Sequence, residues 1–305
     1  MRKTCLDTVY ELAKKDKDVL FIGSDLTPGV LNDFKKNIPE RFFMEGVSEQ
    51  SIIGLSAGLA LEGFKPYVNT IATFITRRCF EQVAIDLCLH KLPVKLIGNG
   101  GGLVYAPLGP THQAIEDISI MRTLPNMTII APCDSIEMRE LVKQSVNYKN
   151  PMYIRLAQGG DKIITSNAET IKLGKAILKV QPKEHLFITT GVMTQLAIEA
   201  SKRLEKEMNI ICGVIHLGTV KPLDEATLLQ WIPKVKKIVT VEENVLAGGF
   251  GSSILEFTSD HFPENSNKIS RLGLKDSFIE KYGTQDLLFK DNNLTIEKLI
   301  AAITE

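Results

Sequence analysis

The sequence predicts an α/β protein made of two three-layer α/β/α domains with mainly parallel sheets. Three observations carry this. Short apolar runs alternate with longer segments of helical periodicity, the runs are continuously apolar rather than alternating, and one polar stretch divides the pattern in two. Unbroken apolar strands belong to sheets covered on both faces, and strand–helix alternation is the pattern of parallel crossovers.

In the first half, Val19-Leu20-Phe21-Ile22-Gly23 offers no polar face and reads as a buried strand. Phe42 to Val47, Pro66 to Ala72, Val94 to Gly98, Met127 to Ala131 and Met152 to Leu156 read the same way. Helical periodicity fills residues 4–15, 49–63, 77–91, 114–123 and 135–148 between them. The run from Ala157-Gln158-Gly159-Gly160-Asp161 to Thr170 is polar and loop-like, so the expected domains are 1–165 and 166–305. The second domain is expected to take strands from His185 to Thr190, Ile210 to Ile215 and Lys237 to Val241. Thr194 to Met208 is an amphipathic helix, with Leu196, Ile198, Ala200 and Leu204 opposed to Glu199, Lys202, Arg203 and Glu205. Residues 295–305 read as a closing helix.

Composition excludes several classes of partner. The chain has 305 residues, 44% of them hydrophobic, with 36 basic and 36 acidic side chains. A zero net charge leaves no electrostatic footprint for nucleic acid or an anionic membrane surface. The longest apolar stretch, Ile52 to Leu61, ends at Glu62 and is too short to span a bilayer. Met1-Arg2-Lys3-Thr4-Cys5 opens an amphipathic helix rather than a signal-peptide core. Five scattered cysteines without a CxxC pair read as reduced, buried thiols of a cytoplasmic protein.

The candidate chemistry lies at ends of predicted strands. Glu49, in Gly46-Val47-Ser48-Glu49-Gln50, opens a helix of small apolar residues, Ser51-Ile52-Ile53-Gly54-Leu55-Ser56-Ala57-Gly58-Leu59-Ala60. A first-turn acid is also an ordinary partner for the helix dipole. Such a small-residue helix is shaped to pack closely on another surface, and a second copy of itself is a natural partner. Phe74 follows a strand, and a lone Phe there is an ordinary core residue. Arg77 reads as a solvated helix residue. His112 lies in Gly109-Pro110-Thr111-His112-Gln113, a turn opening towards a helix, where α/β folds gather their active sites. A loop histidine is also commonly a surface residue. Asp25, in Asp25-Leu26-Thr27, reads as a cap or turn, and Arg155, in Tyr153-Ile154-Arg155-Leu156, as a structural ion pair. The glycine clusters 98–102 and 248–252 lack the strand, helix and acidic partner of a phosphate loop.

Together, Asp25-Leu26-Thr27, Gly46-Val47-Ser48-Glu49-Gln50, Thr73-Phe74 and Gly109-Pro110-Thr111-His112-Gln113 resemble the transketolase family and its deoxyxylulose-phosphate synthase branch. The resemblance runs through Arg271-Leu272-Gly273, Asp276-Ser277-Phe278 and Tyr282-Gly283-Thr284. It implies a pyrimidine-binding domain followed by a transketolase C-terminal domain, with thiamine diphosphate as cofactor. Glu49 would then hydrogen-bond the aminopyrimidine ring and activate the cofactor. Phe74 would stack on that ring, and Asp25, Leu26, Val47 and Arg77 would border it. His112 would reach the substrate and the intermediate, and Arg155 would bind a substrate phosphate.

The sequence departs from the family in two places. Leu108 stands where transketolases carry an aspartate that reads a substrate hydroxyl, and Ile71 stands where relatives often carry a second aromatic. The Gly-Asp-Gly motif with its trailing asparagine, which holds the metal and diphosphate, is not found, and Gly159-Gly160-Asp161 lacks the third glycine. The resemblance therefore implies a subunit of a split enzyme. Its partner would be an N-terminal transketolase chain carrying the diphosphate and Mg2+ or Ca2+, with self-association into a dimer or an α2β2 heterotetramer. The implied activity is transfer of a two-carbon ketol group between sugar phosphates. The alternatives are a β-type subunit of another thiamine diphosphate carboligase or 2-oxo-acid decarboxylating enzyme, and a non-catalytic homologue.

Overall fold

The computed structural model describes residues 1–24, 30–157 and 161–305. In chain order the first half comprises α1 (Arg2–Lys15), β1 (Val19–Gly23), α2 (Asn32–Asn37), β2 (Phe42–Met44), α3 (Glu49–Leu61) and β3 (Lys65–Ile71). A π-helical turn, Phe74–Arg78, leads through α4 (Phe80–Gln82) to a second π-helical stretch, Val83–Leu89. Then come β4 (Lys95–Asn99), α5 (Asp117–Arg122), β5 (Thr128–Ile130), α6 (Ser135–Ser145) and β6 (Met152–Leu156). The second half holds β7 (Ile177–Val180), β8 (His185–Thr189), α7 (Met193–Met208), β9 (Cys212–His216), β10 (Thr219–Lys221) and α8 (Glu225–Trp231). It ends with β11 (Lys237–Val245), α9 (Phe250–His261), β12 (Ile269–Leu274), α10 (Gln285–Asp291) and α11 (Ile296–Thr304).

The strands form a seven-stranded sheet, β10-β5-β6-β4-β3-β1-β2, and a five-stranded sheet, β12-β11-β8-β9-β7. All pairings are parallel except β10 with β5 and β7 with β9. The expected α/β class with mainly parallel sheets is thus what forms. Continuous burial of β1, β4 and β6 matches their unbroken apolar sequences. Alternate residues feed opposite cores, as the two-residue period of a strand requires. Leu20, Ile22, Val68 and Leu96 pack on one side with Ile53 of α3. Phe21, Tyr67, Ile97 and Ile154 pack on the other with Leu6 and Val9 of α1 and Leu141 of α6. Each such buried side chain contributes on the order of 1.5–3 kcal/mol. A third core joins Phe187, Val214 and Val239 to Ala197 and Leu204 of α7 and Leu299 of α11.

Three local expectations change. The strand at Phe42 ends at Met44 rather than Val47, since Gly46 turns the chain with a φ of 68°. The helical segment 77–91 is largely π-helical. The helix expected from residue 114 begins at Asp117, because Ala114 instead bridges the backbone of Gly101 and Gly102. All five cysteines are buried and unpaired. Burial pushes the Cys5, Cys79 and Cys212 thiols up to about 12, so they are poor nucleophiles. No helix among the described residues is long and apolar enough to cross a membrane.

Candidate active site

The site assembles at the C-terminal ends of β2, β3 and β4, where open α/β sheets place their ligands. Glu49 is the first residue of α3 and is only 4% exposed. Its Ser48 N-cap makes no side-chain cap bond, so the carboxylate is what stands at this helix start. Arg78 Nη1 donates to Glu49 Oε2 at 2.7 Å. The same guanidinium lies over the Phe74 ring, with Cζ 4.2 Å from its centroid. The His112 ring meets Phe74 edge-on, with centroids 5.3 Å apart and an interplanar angle of 64°. Thus Glu49, Phe74 and His112, which the sequence spreads over three segments, form one chain of contacts through Arg78.

Arg77 ties two of these segments together. Its Nε pairs with Glu116 Oε1 at 3.0 Å and its Nη2 donates to the Thr111 carbonyl at 3.3 Å. Burial pushes the Glu116 carboxyl above the ordinary range, and the Arg77 charge opposes that rise. His112 shares a 2.9 Å hydrogen bond between Nδ1 and Thr111 Oγ1. A cavity of about 350 Å³ lies beside the Arg77–Glu116 pair, lined also by Ile115, Val245 and the loop Asp276-Ser277-Phe278 of the second half.

At the ends of β3 and β4 and next to Phe74 and His112 in sequence, buried polar side chains keep unpartnered atoms. Thr73 Oγ1, Asn69 Nδ2, Asn99 Oδ1 and both amide atoms of Gln113 have none, although Asn99 Nδ2 donates to Asn69 Oδ1 at 3.1 Å. Each orphaned buried polar atom costs about 1–3 kcal/mol. Unpartnered buried polar atoms of this kind call for a partner such as water or a polar ligand.

Val47 is 78% exposed at the approach to Glu49. Asp25 and Leu26 lie outside the described residues. Arg155 is only 7% exposed, and its Nε and Nη2 donors are committed to protein groups. Nε bonds Asp117 Oδ2 at 2.8 Å, Nη2 donates to the carbonyls of Ala114 and Glu243, and Nη1 lies 3.7 Å from Glu243 Oε2. This is the buried ion-pair arrangement, bracing β6 against α5 and β11. Sequence reasoning missed Arg78. Its one signal was adjacency to Arg77, and consecutive arginines ordinarily read as a solvated face.

Two transketolase-family profiles cover most of the chain. The transketolase pyrimidine-binding domain matches residues 1–159, and the transketolase C-terminal domain matches residues 174–298. The chain therefore belongs to the transketolase family. The 1-deoxy-D-xylulose-5-phosphate synthase of Clostridium perfringens (strain 13 / Type A) is 37% identical over 302 residues, which is 98% of this chain and 48% of the synthase. The chain spans about half the length of such synthases. One subunit of the apulose-4-phosphate transketolase of Phocaeicola vulgatus is 35% identical over 277 residues, covering 90% of this chain and 87% of that subunit. A solved structure described as a split gene transketolase, inactive beta4 tetramer, superposes with a TM-score of 0.90 at 32% identity, over 99% of this chain and 96% of that one.

Proposed function

We propose that this chain is the C-terminal-half subunit of a split thiamine-diphosphate-dependent transketolase, moving a two-carbon ketol group between sugar phosphates. The observation that carries this reading is the convergence of Glu49, Phe74 and His112 at the strand ends. The length match to a subunit of the apulose-4-phosphate transketolase, against half coverage of the synthases, supports a separately encoded half.

The residues fit the pyrimidine end of the cofactor: a buried acid, an aromatic face and, at the ends of β3 and β4, unpartnered buried amides. Thiamine diphosphate, when bound, supplies the carbanion-stabilising thiazolium. Glu49 would share a proton with a basic ring nitrogen and so set the tautomer of the exocyclic amine. Phe74 would hold the ring by stacking, at about 1 kcal/mol beyond area burial. Asp25, Leu26, Val47 and Arg77 would border it. His112 would face the substrate. Arg155, expected to bind a substrate phosphate, is here already held by Asp117 and Glu243, and would reach a phosphate only if its Nη1 edge faces the site. The diphosphate and its Mg2+ or Ca2+ would be held mainly by the partner chain, and the sugar phosphate would enter between the subunits.

A synthase-type carboligase is the second reading, favoured by Leu108, which is half exposed beside Gly109 and carries no polar group for a substrate hydroxyl. The test is titration of thiamine diphosphate and Mg2+ into the chain with and without a candidate diphosphate-binding partner, followed by turnover of Glu49→Gln. Binding only in the mixture, and a turnover loss of about 10²–10⁴-fold in the variant, are expected. Near-normal turnover of Glu49→Gln would remove the assigned role.

A further inference from the structure

We propose that Arg78 is an internal occupant of the pyrimidine pocket, which holds Glu49 and Phe74 in the cofactor-free subunit and is displaced when thiamine diphosphate enters. The inference rests on the functional reading above and adds to it a residue with which the cofactor must compete.

A guanidinium is flat, delocalised and edged with N–H donors, and it stacks on aromatic faces. Arg78 uses both properties at once. Its edge donates to Glu49 at 2.7 Å, and its plane lies over Phe74 at 4.2 Å. These are the two contacts assigned above to an aminopyrimidine ring, so arginine and ring compete for one acid and one face. The two neighbouring arginines differ in their anchoring. Arg77 is fixed to Glu116 and the Thr111 carbonyl, whereas the hydrogen-bond and ring contacts of the Arg78 side chain among the described residues are Glu49 and Phe74. The Arg78 side chain is 43% exposed while that of Glu49 is 4% exposed, so the cation can swing out to water and the acid cannot. Both arginines sit on the π-helical turn Phe74–Arg78, a backbone form concentrated at functional sites.

The arrangement has a physical use. A carboxylate as buried as Glu49 is strongly unfavourable without a partner. Arg78 supplies that partner until cofactor arrives. The apparent cofactor affinity is then reduced by the fraction of subunits with the arginine out.

The experiment is calorimetric titration of thiamine diphosphate with Mg2+ into the full chain, in complex with its diphosphate-binding partner where binding requires it. Wild type, Arg78→Met and Arg78→Lys are compared, with thermal melting as a check that each is folded. Arg78→Met, which fills space without a charge, is expected to bind about tenfold more tightly, as removal of an occupant present about nine-tenths of the time requires. Arg78→Lys keeps the charge without the plane and should fall between. Cofactor binding by wild type with equal or weaker binding by folded Arg78→Met would overturn the occupant and leave the cofactor reading standing. Absence of binding by all three proteins would overturn both.

Discussion

Lys95 and Glu49 illustrate two treatments of a buried charge. Glu49 keeps an ion-pair partner, Arg78. Lys95 is fully buried at the start of β4 and has only carbonyls, donating from Nζ to Pro93 at 2.7 Å and to Tyr148 at 2.9 Å. Burial pushes its ammonium down to about 7, helped by the charge of Lys65. Between that value and the ordinary lysine range the unfolded chain binds a proton that the folded chain does not. Stability should therefore rise with pH across this window, by up to about 1.4 kcal/mol per pH unit. Replacing Lys95 by Met should flatten the slope, read as unfolding free energy in urea at pH 7, 8 and 9. Equal slopes in the two proteins would show that Lys95 stays charged when folded. Neither Lys95 nor Arg78 was legible in the sequence, because pattern reading sends cationic side chains to water. Glu49, Phe74 and His112 were legible through their segments' resemblance to the transketolase family, since position alone gives each an ordinary structural reading.

Among the elements, α6 depends most visibly on one side chain. Asp134 caps it, with Oδ1 accepting from the amides of Ile136 and Glu137 at 2.9 and 3.0 Å. Its other oxygen accepts from Ile164 at 2.9 Å and Thr165 at 2.7 Å, which pins the connection between the halves to the helix start. Burial acts to raise this carboxyl, but the amide hydrogen bonds prevail and hold it below the ordinary range. Its stabilisation is therefore complete above the unfolded carboxyl range and is lost as pH falls through the lowered folded value. Loss of a cap costs about 0.5–2 kcal/mol and each orphaned buried amide about 1–3 kcal/mol, so Asp134→Ala should destabilise by at least about 2 kcal/mol. Urea unfolding at neutral pH measures this, and a loss below about 0.5 kcal/mol would contradict the double role. The start of α6 was readable because Asp134 precedes a strong amphipathic run. Strands β7 and β12 were not, since they are only half-buried at sheet edges and lack continuous apolar sequence. Strand β10 escaped notice because its three residues pair antiparallel with β5, far back in the chain.

For the whole molecule, the open question is what covers α3. Ser51, Gly54, Leu55, Gly58 and Leu61 recur at helical spacing and are all exposed, with Leu61 at 67%. Ile85 and Leu89, on the π-helical stretch packed beside α3, are exposed as well. A Cβ added at Gly54 or Gly58 would meet no atom of the described residues within 4 Å, apart from its own stretch of helix. Nothing among the described residues therefore calls for glycine at either position, although glycine costs a helix interior about 0.8–1 kcal/mol relative to alanine. Close approach of another backbone is a physical reason for glycine that remains. Two effects should follow in Gly58→Arg. The variant subunit should stay folded, because the helix gains a better former without a clash inside the subunit. Its self-association should fail, because a long charged side chain would lie where two small-residue faces meet. Sedimentation velocity separates these effects from misfolding: wild type is expected as a dimer or larger assembly and Gly58→Arg as a folded monomer. A variant that assembles like wild type would show that α3 is covered by something other than a second copy of this chain.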